Sequence, residues 1–235
     1  MASEYLMKKY KDVKPDEERV LTKAEQRRNW WYYHKWYVAG GILAGAFCLS
    51  ILWSILGIGR VYPDVSIAYI SSIPLTEDTV EALRSGFAEK TPDLNGDGQV
   101  VVNLNQYVSY VPEDQYMDSE MILFSQATQV QMVADISECT SYFFLLEDPH
   151  GFQEMSNVLC NLDGSLPPDG DVSADGKYLL WSDCPELAGM ELGEAEPLIS
   201  KLAFARRGFW NKKTVDNPEG CAALWDSLTA GAVTP

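Results

Sequence analysis

One uninterrupted apolar segment constrains this chain more than any other feature of its sequence. Residues 36–58 read WYVAGGILAGAFCLSILWSILGI and contain no Asp, Glu, Lys or Arg. These 23 residues cross a hydrocarbon core of about 30 Å at about 1.5 Å per helical residue. Aromatic side chains crowd the amino end of the segment, as in an interfacial belt: Trp30, Trp31, Tyr32, Tyr33, Trp36 and Tyr37. The segment therefore predicts one transmembrane helix.

The charged residues divide at this segment and predict its orientation. Residues 1–35 carry nine basic and six acidic side chains, a net charge of +3, whereas residues 59–235 carry nine basic and 28 acidic ones, a net charge of -19. Because Lys and Arg stay on the cytoplasmic side, the sequence predicts a cytoplasmic basic tail over 1–35, a cell-membrane span over 36–58 and an extracytoplasmic acidic domain over 59–235. A domain this acidic argues against nucleic acid as a partner.

Two other interpretations of the apolar segment fit it less well. A buried helix of a soluble protein has a polar face, which is absent here. A cleaved signal peptide has a short basic start and an apolar region of about 7–15 residues, whereas here 35 residues precede an apolar segment of 23. Gly57 and Gly59 nevertheless form a weak small-x-small cleavage site. The segment also contains Gly41-x-x-x-Gly45, the close-packing motif of membrane helix pairs.

The acidic domain alternates strand and helix patterns. The strands are predicted over 61–71, 99–110, 141–146 and 178–181, and the helices over 76–90, 118–136, 152–159 and 219–228. This order predicts an α/β fold with a mainly parallel sheet flanked by helices. In the helix over 118–136, Gln126, Gln129 and Asp135 lie away from an apolar stripe. The stripe consists of Ile122, Leu123, Ala127, Val130, Val133 and Ala134.

Three stretches of the domain resemble a known family. The order PDVSIAYISSIPLTEDTVEAL, TQVQMVADISECTSYFFLLEDPHGF and ALWDSLTAG is similar to that of type 2 extracellular solute-binding proteins of bacterial ABC importers, although this domain has the size of one lobe and those proteins have two. In that family the strands end at a ligand cleft. The resemblance therefore implies that Ser71, Ser72, Glu147 and Asp148 face a ligand, either a small molecule or a protein.

The sharpest local motif, DLNGDGQV, matches the first eight positions of an EF-hand loop. Asp93, Asn95 and Asp97 supply hard oxygen ligands, the carbonyl of Gln99 adds another, and a glycine permits the sharp turn. The twelfth position, where a bidentate Glu is expected, is Leu104. The motif predicts an incomplete Ca²⁺ site, and an ordinary Asp/Asn/Gly turn is the alternative.

Several other groups of side chains give weaker signals. The four outer cysteines permit two disulfides or four reduced thiols, and the acidic and basic clusters are both expected in loops. The only outer histidine is His150, and no nucleophile motif accompanies it. The cysteines are Cys139, Cys160, Cys184 and Cys221, the acidic cluster is Asp163, Asp169, Asp171 and Asp175, and the basic cluster is Arg206, Arg207, Lys212 and Lys213.

Two classes of function follow from these patterns. The first is a membrane-anchored extracytoplasmic binding or interaction domain of solute-binding-protein-like fold, with a cation that stabilises it. The second is a cell-surface hydrolase that uses acidic residues or a bound cation. The sequence names no catalytic residue, so the binding domain is the preferred interpretation.

Overall fold

The chain consists of two compact units that are described separately. The structure is a computed structural model, and it describes residues 21–56, 61–108, 119–168, 170–208 and 212–233. The first unit is Met1–Arg60 and the second is Val61–Pro235.

The first unit contains one long helix, α1, over Lys23–Ile55. A capping box explains its start, because the Thr22 hydroxyl accepts from the amide of Glu25 at 3.4 Å and the Glu25 carboxylate accepts from the amide of Thr22 at 3.0 Å. An 18-residue window of α1 has a mean hydropathy of 2.0, and none of that window is buried. The helix is thus long and apolar enough to span a membrane. The last two residues of the predicted span lie outside the described residues.

The second unit is an α/β domain built from five strands and six helices among its described residues. Two short 3₁₀ turns, Trp181–Asp183 and Gly193–Ala195, interrupt the stretch between the last two strands. In chain order the elements are β1 Val65–Ser71, α2 Glu77–Lys90, β2 Val102–Val108, α3 Ser119–Glu138, β3 Phe143–Leu146, α4 Pro149–Ser156, β4 Tyr178–Leu180, α5 Pro185–Ala188, α6 Glu196–Ile199, β5 Ala203–Arg206 and α7 Pro218–Leu228.

The five strands form one mixed sheet in the order β2-β1-β3-β5-β4. Strand β1 pairs in parallel with β2 and β3, whereas β5 pairs antiparallel with β3 and β4. The prediction of a mainly parallel sheet is therefore wrong. The cause is β5, whose last residue belongs to the basic cluster predicted to lie in a loop. This strand inserts between β3 and β4 in the opposite direction.

Apolar side chains cover both faces of the sheet. Strand β1 is buried along its whole length, as predicted, and its residues alternate between the two faces. On one face Phe143 and Phe204 pack against α2 and α7, with Trp225 stacked on Phe204 at 4.9 Å between ring centroids. On the other face Phe144 packs against α4, with Phe152 at 5.1 Å. Because β1 pairs in parallel with β2 and β3, the carboxyl ends of these three strands share one edge of the sheet.

Helix α3 turns the face opposite to the expected one toward the sheet. Its buried residues include Ser125, Thr128 and Asp135, together with Met132 and Ile136. The two hydroxyl side chains bond to the backbone of β2 where that strand ends, and Asp135 pairs with a buried arginine. Leaving those polar groups unpaired inside the domain would cost more than exposing apolar side chains, so the apolar stripe faces outward.

Candidate functional site

Three of the four predicted ligand residues meet at the carboxyl edge of the sheet. Ser71 is the last residue of β1 and Ser72 follows it, and Glu147 directly follows β3, which is the parallel neighbour of β1. The Glu147 carboxylate accepts hydrogen bonds from the Ser71 hydroxyl at 2.8 Å, from the Ser72 amide at 2.6 Å and from the Ser72 hydroxyl at 2.8 Å. We call these three residues the edge cluster.

Asp148 does not join the edge cluster. Its carboxylate caps α4 by accepting a hydrogen bond from the amide of Gly151 at 3.0 Å. A Cβ atom added to Gly151 would lie 2.4 Å from a carboxylate oxygen of Asp148, so the glycine makes room for the cap. Asp148 therefore supports the start of a helix.

The edge cluster holds Glu147 as a carboxylate. Burial on its own raises the pKa of Glu147, but hydrogen bonds from the Ser72 amide and from the Ser72 and Ser71 hydroxyls outweigh it, so the pKa lies below its usual range. A carboxyl group with a lowered pKa is a poor proton donor at neutral pH. The arrangement suits a fixed negative charge that accepts hydrogen bonds, and the role of these residues in ligand binding stays a prediction.

The predicted cation loop forms a series of tight turns made by its own side chains. The Asp93 carboxylate accepts from the amides of Gly96 at 2.6 Å and Gly98 at 2.8 Å. Asn95 and Asp97 each accept from the amide two residues further on, both at 2.8 Å. Each such oxygen keeps lone pairs for a further partner. Gly98 has a φ of 82°, a left-handed conformation that few other residues adopt.

A buried carboxylate that the sequence analysis missed anchors this loop. Asp64, 8% exposed, accepts hydrogen bonds from the amides of Leu94 at 2.8 Å, Asn95 at 3.0 Å and Val101 at 2.8 Å. The Asn217 side chain donates to the carbonyl of Leu94 at 3.0 Å, which ties the loop to the cap of α7. The loop is therefore held at both of its ends.

The expected twelfth ligand of an EF-hand loop is absent here. Leu104 is a buried residue of β2, so the chain leaves the loop as a strand. Among the residues that the structure describes, no group of three or more His, Cys, Asp or Glu side chains is arranged to hold a metal. The predicted site also uses the Asn95 side chain and the Gln99 carbonyl, which are not among these four residue types. The Ca²⁺ site stays a prediction.

A cavity of about 690 Å³ lies beside the loop, at the edge of the sheet where β1 and β3 begin. Its walls come from four segments, at residues 62–66, 94–97, 138–142 and 214–217, with Cys221 from α7. Four of the lining residues are acidic, namely Asp64, Asp97, Glu138 and Asp216, and the described lining contains no Lys, Arg or His. The volume lies within the range of ligand pockets, about 300–1,000 Å³.

Two of the groups that line this cavity, the Cys221 thiol and the Tyr142 phenol, stay protonated at neutral pH. Burial raises the pKa of Cys221 to about 11, so its thiol is a poor nucleophile. Burial also raises the pKa of Tyr142, partly offset by the positive charge of Arg206. These groups present neutral hydrogen-bonding surface to whatever occupies the cavity.

The prediction that the basic cluster lies in a loop is wrong for Arg206 and Arg207. Arg206 ends β5 and Arg207 follows it, and they are only 4% and 2% exposed. The Arg206 guanidinium lies 4.9 Å from the ring centre of Trp225 and donates to the carbonyl of Leu162. Its buried Nε atom has no hydrogen-bond partner among the residues that the structure describes. Lys212 and Lys213 are exposed. The four cations therefore divide into a buried pair and an exposed pair.

Arg207 and Asp135 form a buried ion pair that also makes several hydrogen bonds to its surroundings. Their closest atoms lie 3.2 Å apart, and the guanidinium also donates to the carbonyls of Ser141, Ile136 and Asp135. The Asp135 carboxylate accepts from the Ser141 amide at 2.9 Å and from the Tyr107 hydroxyl at 2.7 Å. The network joins α3, β2 and the start of β3.

The three described members of the acidic cluster have partners of their own near their places in the sequence or on α4. Asp171 pairs with the buried amino group of Lys177 at 3.1 Å, and Asp175 lies 3.9 Å from the exposed ring of His150. Asp163 accepts from the amide of Ser165 at 2.8 Å. Asp169 lies outside the described residues.

All four cysteines of the second unit, Cys139, Cys160, Cys184 and Cys221, are buried free thiols. Of the two alternatives that the sequence left open, the structure has the reduced one. Burial raises the pKa of Cys184, as it does that of Cys221, to about 11, and it raises the pKa of Cys160 as well.

Comparison of the chain with protein-family models, with curated proteins and with solved structures found no match. The resemblance to type 2 solute-binding proteins stays an expectation from the sequence, and the function is argued from the site alone.

Proposed function

We propose that this chain is a single-pass membrane protein whose outer α/β domain is a binding domain stabilised by Ca²⁺. Helix α1 supports the anchor, since its length and mean hydropathy suit a span and no residue of α1 is buried. The charges on either side, +3 before residue 36 and -19 after residue 58, support a cytoplasmic amino terminus. The domain then faces the Ca²⁺-rich exterior of the cell.

One observation carries the binding function: the candidate cation loop forms part of the wall of the 690 Å³ cavity. Asn95 and Asp97 belong both to the loop motif and to the cavity lining. A cation that ordered this loop would therefore also fix the shape of the cavity. Weak extracellular sites bind Ca²⁺ with dissociation constants of about 10⁻⁴–10⁻³ M, so external Ca²⁺ would fill such a site.

The cavity lining indicates the kind of ligand. Its four acidic side chains and protonated Tyr142 favour a neutral or cationic molecule over an anion. Apolar contributions from Val65 and Leu94 provide contact surface. The ligand is a small molecule or a short segment of a protein partner.

Removal of Ca²⁺ is expected to lower the melting temperature of the full chain. A ligand present at 100 times its dissociation constant adds about 2.7 kcal/mol of stability. At about 2–4 °C per kcal/mol for a domain of this size, the shift is about 5–10 °C. The measurement is thermal unfolding of the purified chain in detergent, with CaCl₂ and then with excess EGTA.

Asp97→Asn is the informative variant for this experiment. It keeps the acceptor for the Gln99 amide but removes a charge, so we expect the response to EGTA to vanish. Asp175→Asn is the matched control, because Asp175 is also exposed and lies in a turn, and it should respond as the wild type does. Identical melting curves with Ca²⁺ and with EGTA in the wild type would contradict the cation site.

Protease added to intact cells is expected to digest the outer domain and spare the basic tail. A carboxyl-terminal tag should disappear and an amino-terminal tag should survive on a short membrane-bound fragment, because the +3 segment stays inside. A cytoplasmic reporter protein in the same cells controls for lysis. Survival of the carboxyl-terminal tag, or a purified chain that lacks its first residues by mass spectrometry, would overturn the topology.

A further inference from the structure

Strand β2 forms one edge of the sheet, so half of its backbone groups point away from β1, its neighbour in the sheet. Two contacts show which half. The Asp64 amide donates to the carbonyl of Val101 at 2.8 Å, so Val101 and every second residue after it face β1. Val108 has the opposite orientation, because its N–H and C=O groups lie 3.2 and 3.4 Å from the Thr128 hydroxyl of α3. Three further residues of β2 therefore point their backbone groups outward, namely Val102, Leu104 and Gln106.

These three outward residues present hydrogen-bonding groups that the domain does not use. Within the described part of the chain, none of their outward N–H and C=O groups has a hydrogen-bond partner. Together they form a row of three donors and three acceptors with the spacing of a β-strand. The backbone of an added strand is the chemical group that matches such a row.

A groove of about 600 Å³ lies along the same edge. Five consecutive residues of β2, 103–107, line it together with Arg84 of α2 and with Phe124 and Gln131 of α3. The two helices pack on opposite faces of the sheet. An extended chain in this groove would therefore direct alternate side chains toward α2 and toward α3. We call this feature the edge groove.

Charge and polarity indicate which side chains the added strand carries. Arg84 is half-buried and forms no ion pair with a described residue, so it favours a carboxylate on the face toward α2. Toward α3, Phe124 is 48% exposed and offers apolar contact surface. Two acids also line the groove, but Asp135 is paired with Arg207, and Glu138 is exposed to solvent, which screens its charge.

We propose that the edge groove binds an extended segment of a partner protein, which adds to β2 as a further strand. The segment carries an acidic side chain toward Arg84 and apolar side chains toward Phe124. A second copy of this chain does not suit the groove. Two β2 strands paired about a two-fold axis would place both Arg84 side chains on the same face of the joined sheet, where like charges repel.

Two synthetic heptapeptides test the charge on one face of the segment. Thr-Val-Glu-Val-Thr-Val-Thr has Glu and Thr on one face and Val on the other, and the second peptide has Lys in place of Glu. The measurement is fluorescence anisotropy of each labelled peptide with the full chain in detergent, at low salt so that screening stays small. We expect the Glu peptide to bind at least fivefold more tightly than the Lys peptide.

Arg84→Glu is the informative variant for this comparison. It reverses the charge beside the segment, so we expect the Lys peptide to become the tighter ligand by at least fivefold. Lys201→Glu is the matched control, because it makes the same change of charge at an exposed position beyond α6, and it should keep the wild-type preference. A continued preference of the Arg84→Glu chain for the Glu peptide would overturn the proposal. So would failure of both peptides to bind the wild type at about 1 mM.

Backbone methylation separates strand addition from a contact made by side chains alone. N-methyl groups on the three Val residues block one edge of the peptide strand, and N-methyl groups on Glu and the two Thr residues that follow it block the other edge. Because only one edge faces β2, one pattern should weaken binding at least tenfold and the other less than twofold. Equal effects of the two patterns would contradict pairing through the backbone.

Hydrogen exchange locates the bound peptide on the protein. The three outward amides of β2 have no partner among the described residues, so they should exchange rapidly in the free chain. Saturation with the Glu peptide should lower deuterium uptake by about three deuterons in a proteolytic fragment that contains β2, as measured by mass spectrometry. Unchanged uptake in that fragment would overturn the proposal. Protection that increases with the concentration of the chain alone would also overturn it, because a second copy would then be the occupant.

Discussion

Arg207→Met is expected to lower the free energy of unfolding by about 3–5 kcal/mol, because it leaves the Asp135 charge buried and unpaired. Both side chains are almost fully buried, and their closest atoms lie 3.2 Å apart. The change also removes the donors to the carbonyls of Ser141 and Ile136. The melting temperature should fall by about 6–20 °C at about 2–4 °C per kcal/mol, as measured by thermal unfolding in detergent.

Lys90→Met is the matched control for this substitution. Lys90 forms an ion pair with Glu186, but both side chains are partly exposed, at 30% and 49%. Exposed pairs contribute about 0–1 kcal/mol, so the melting temperature should shift by a few degrees at most. Losses of similar size for Arg207→Met and Lys90→Met would show that the buried pair does not stabilise the domain as described.

Phe204→Ala is expected to cost a similar amount, about 3–5 kcal/mol, for a different reason. Phe204 is 0% exposed and lies at the centre of the larger core. Its ring packs against Trp225 at 4.9 Å and Phe143 at 5.3 Å between centroids. Removal of the ring loses this packing and leaves a cavity between β5 and α7, which the rigid neighbours refill only in part. Urea unfolding of the full chain measures the loss.

Phe124→Ala provides the comparison for the same substitution outside the core. Phe124 is 48% exposed on α3, so truncation removes much less buried surface, and the loss should be less than half of that for Phe204→Ala. Equal losses would mean that Phe204 is not a central residue of the core. Phe124→Ala also leaves the buried polar contacts of α3 in place.

The strands and helices with strong local patterns were predictable from the sequence. The helix predicted over 76–90 forms as α2, capped by Thr76, and the terminal helix begins one residue before its predicted start. Strand β5 was not predictable, because AFAR is short and its last residue is a charged arginine that looks exposed. Burial of that arginine depends on its contact with Trp225, which follows later in the chain. No local sequence pattern therefore predicts the burial.

In the candidate site, too, some contacts were predictable from the sequence and others depend on residues far apart in the chain. The meeting of Ser71 and Ser72 with Glu147 follows from parallel pairing of two predicted strands, which the sequence supports. The anchoring of the cation loop by Asp64 needed knowledge of where three distant amides lie. One sequence signal points to this anchoring. An acid stands directly before β1, and a glycine-rich loop later in the chain contains many amides without strand partners.

The buried, unbridged thiols bear on how such a protein matures. A small exported domain commonly depends on an oxidising folding environment for its cross-links, but in the second unit of this chain none of the four cysteine sulfur atoms is linked to another. The raised pKa values of Cys160, Cys184 and Cys221 leave little thiolate at these sites for exchange reactions. The fold of this domain is therefore held by packing and hydrogen bonds, without a cross-link among these four thiols.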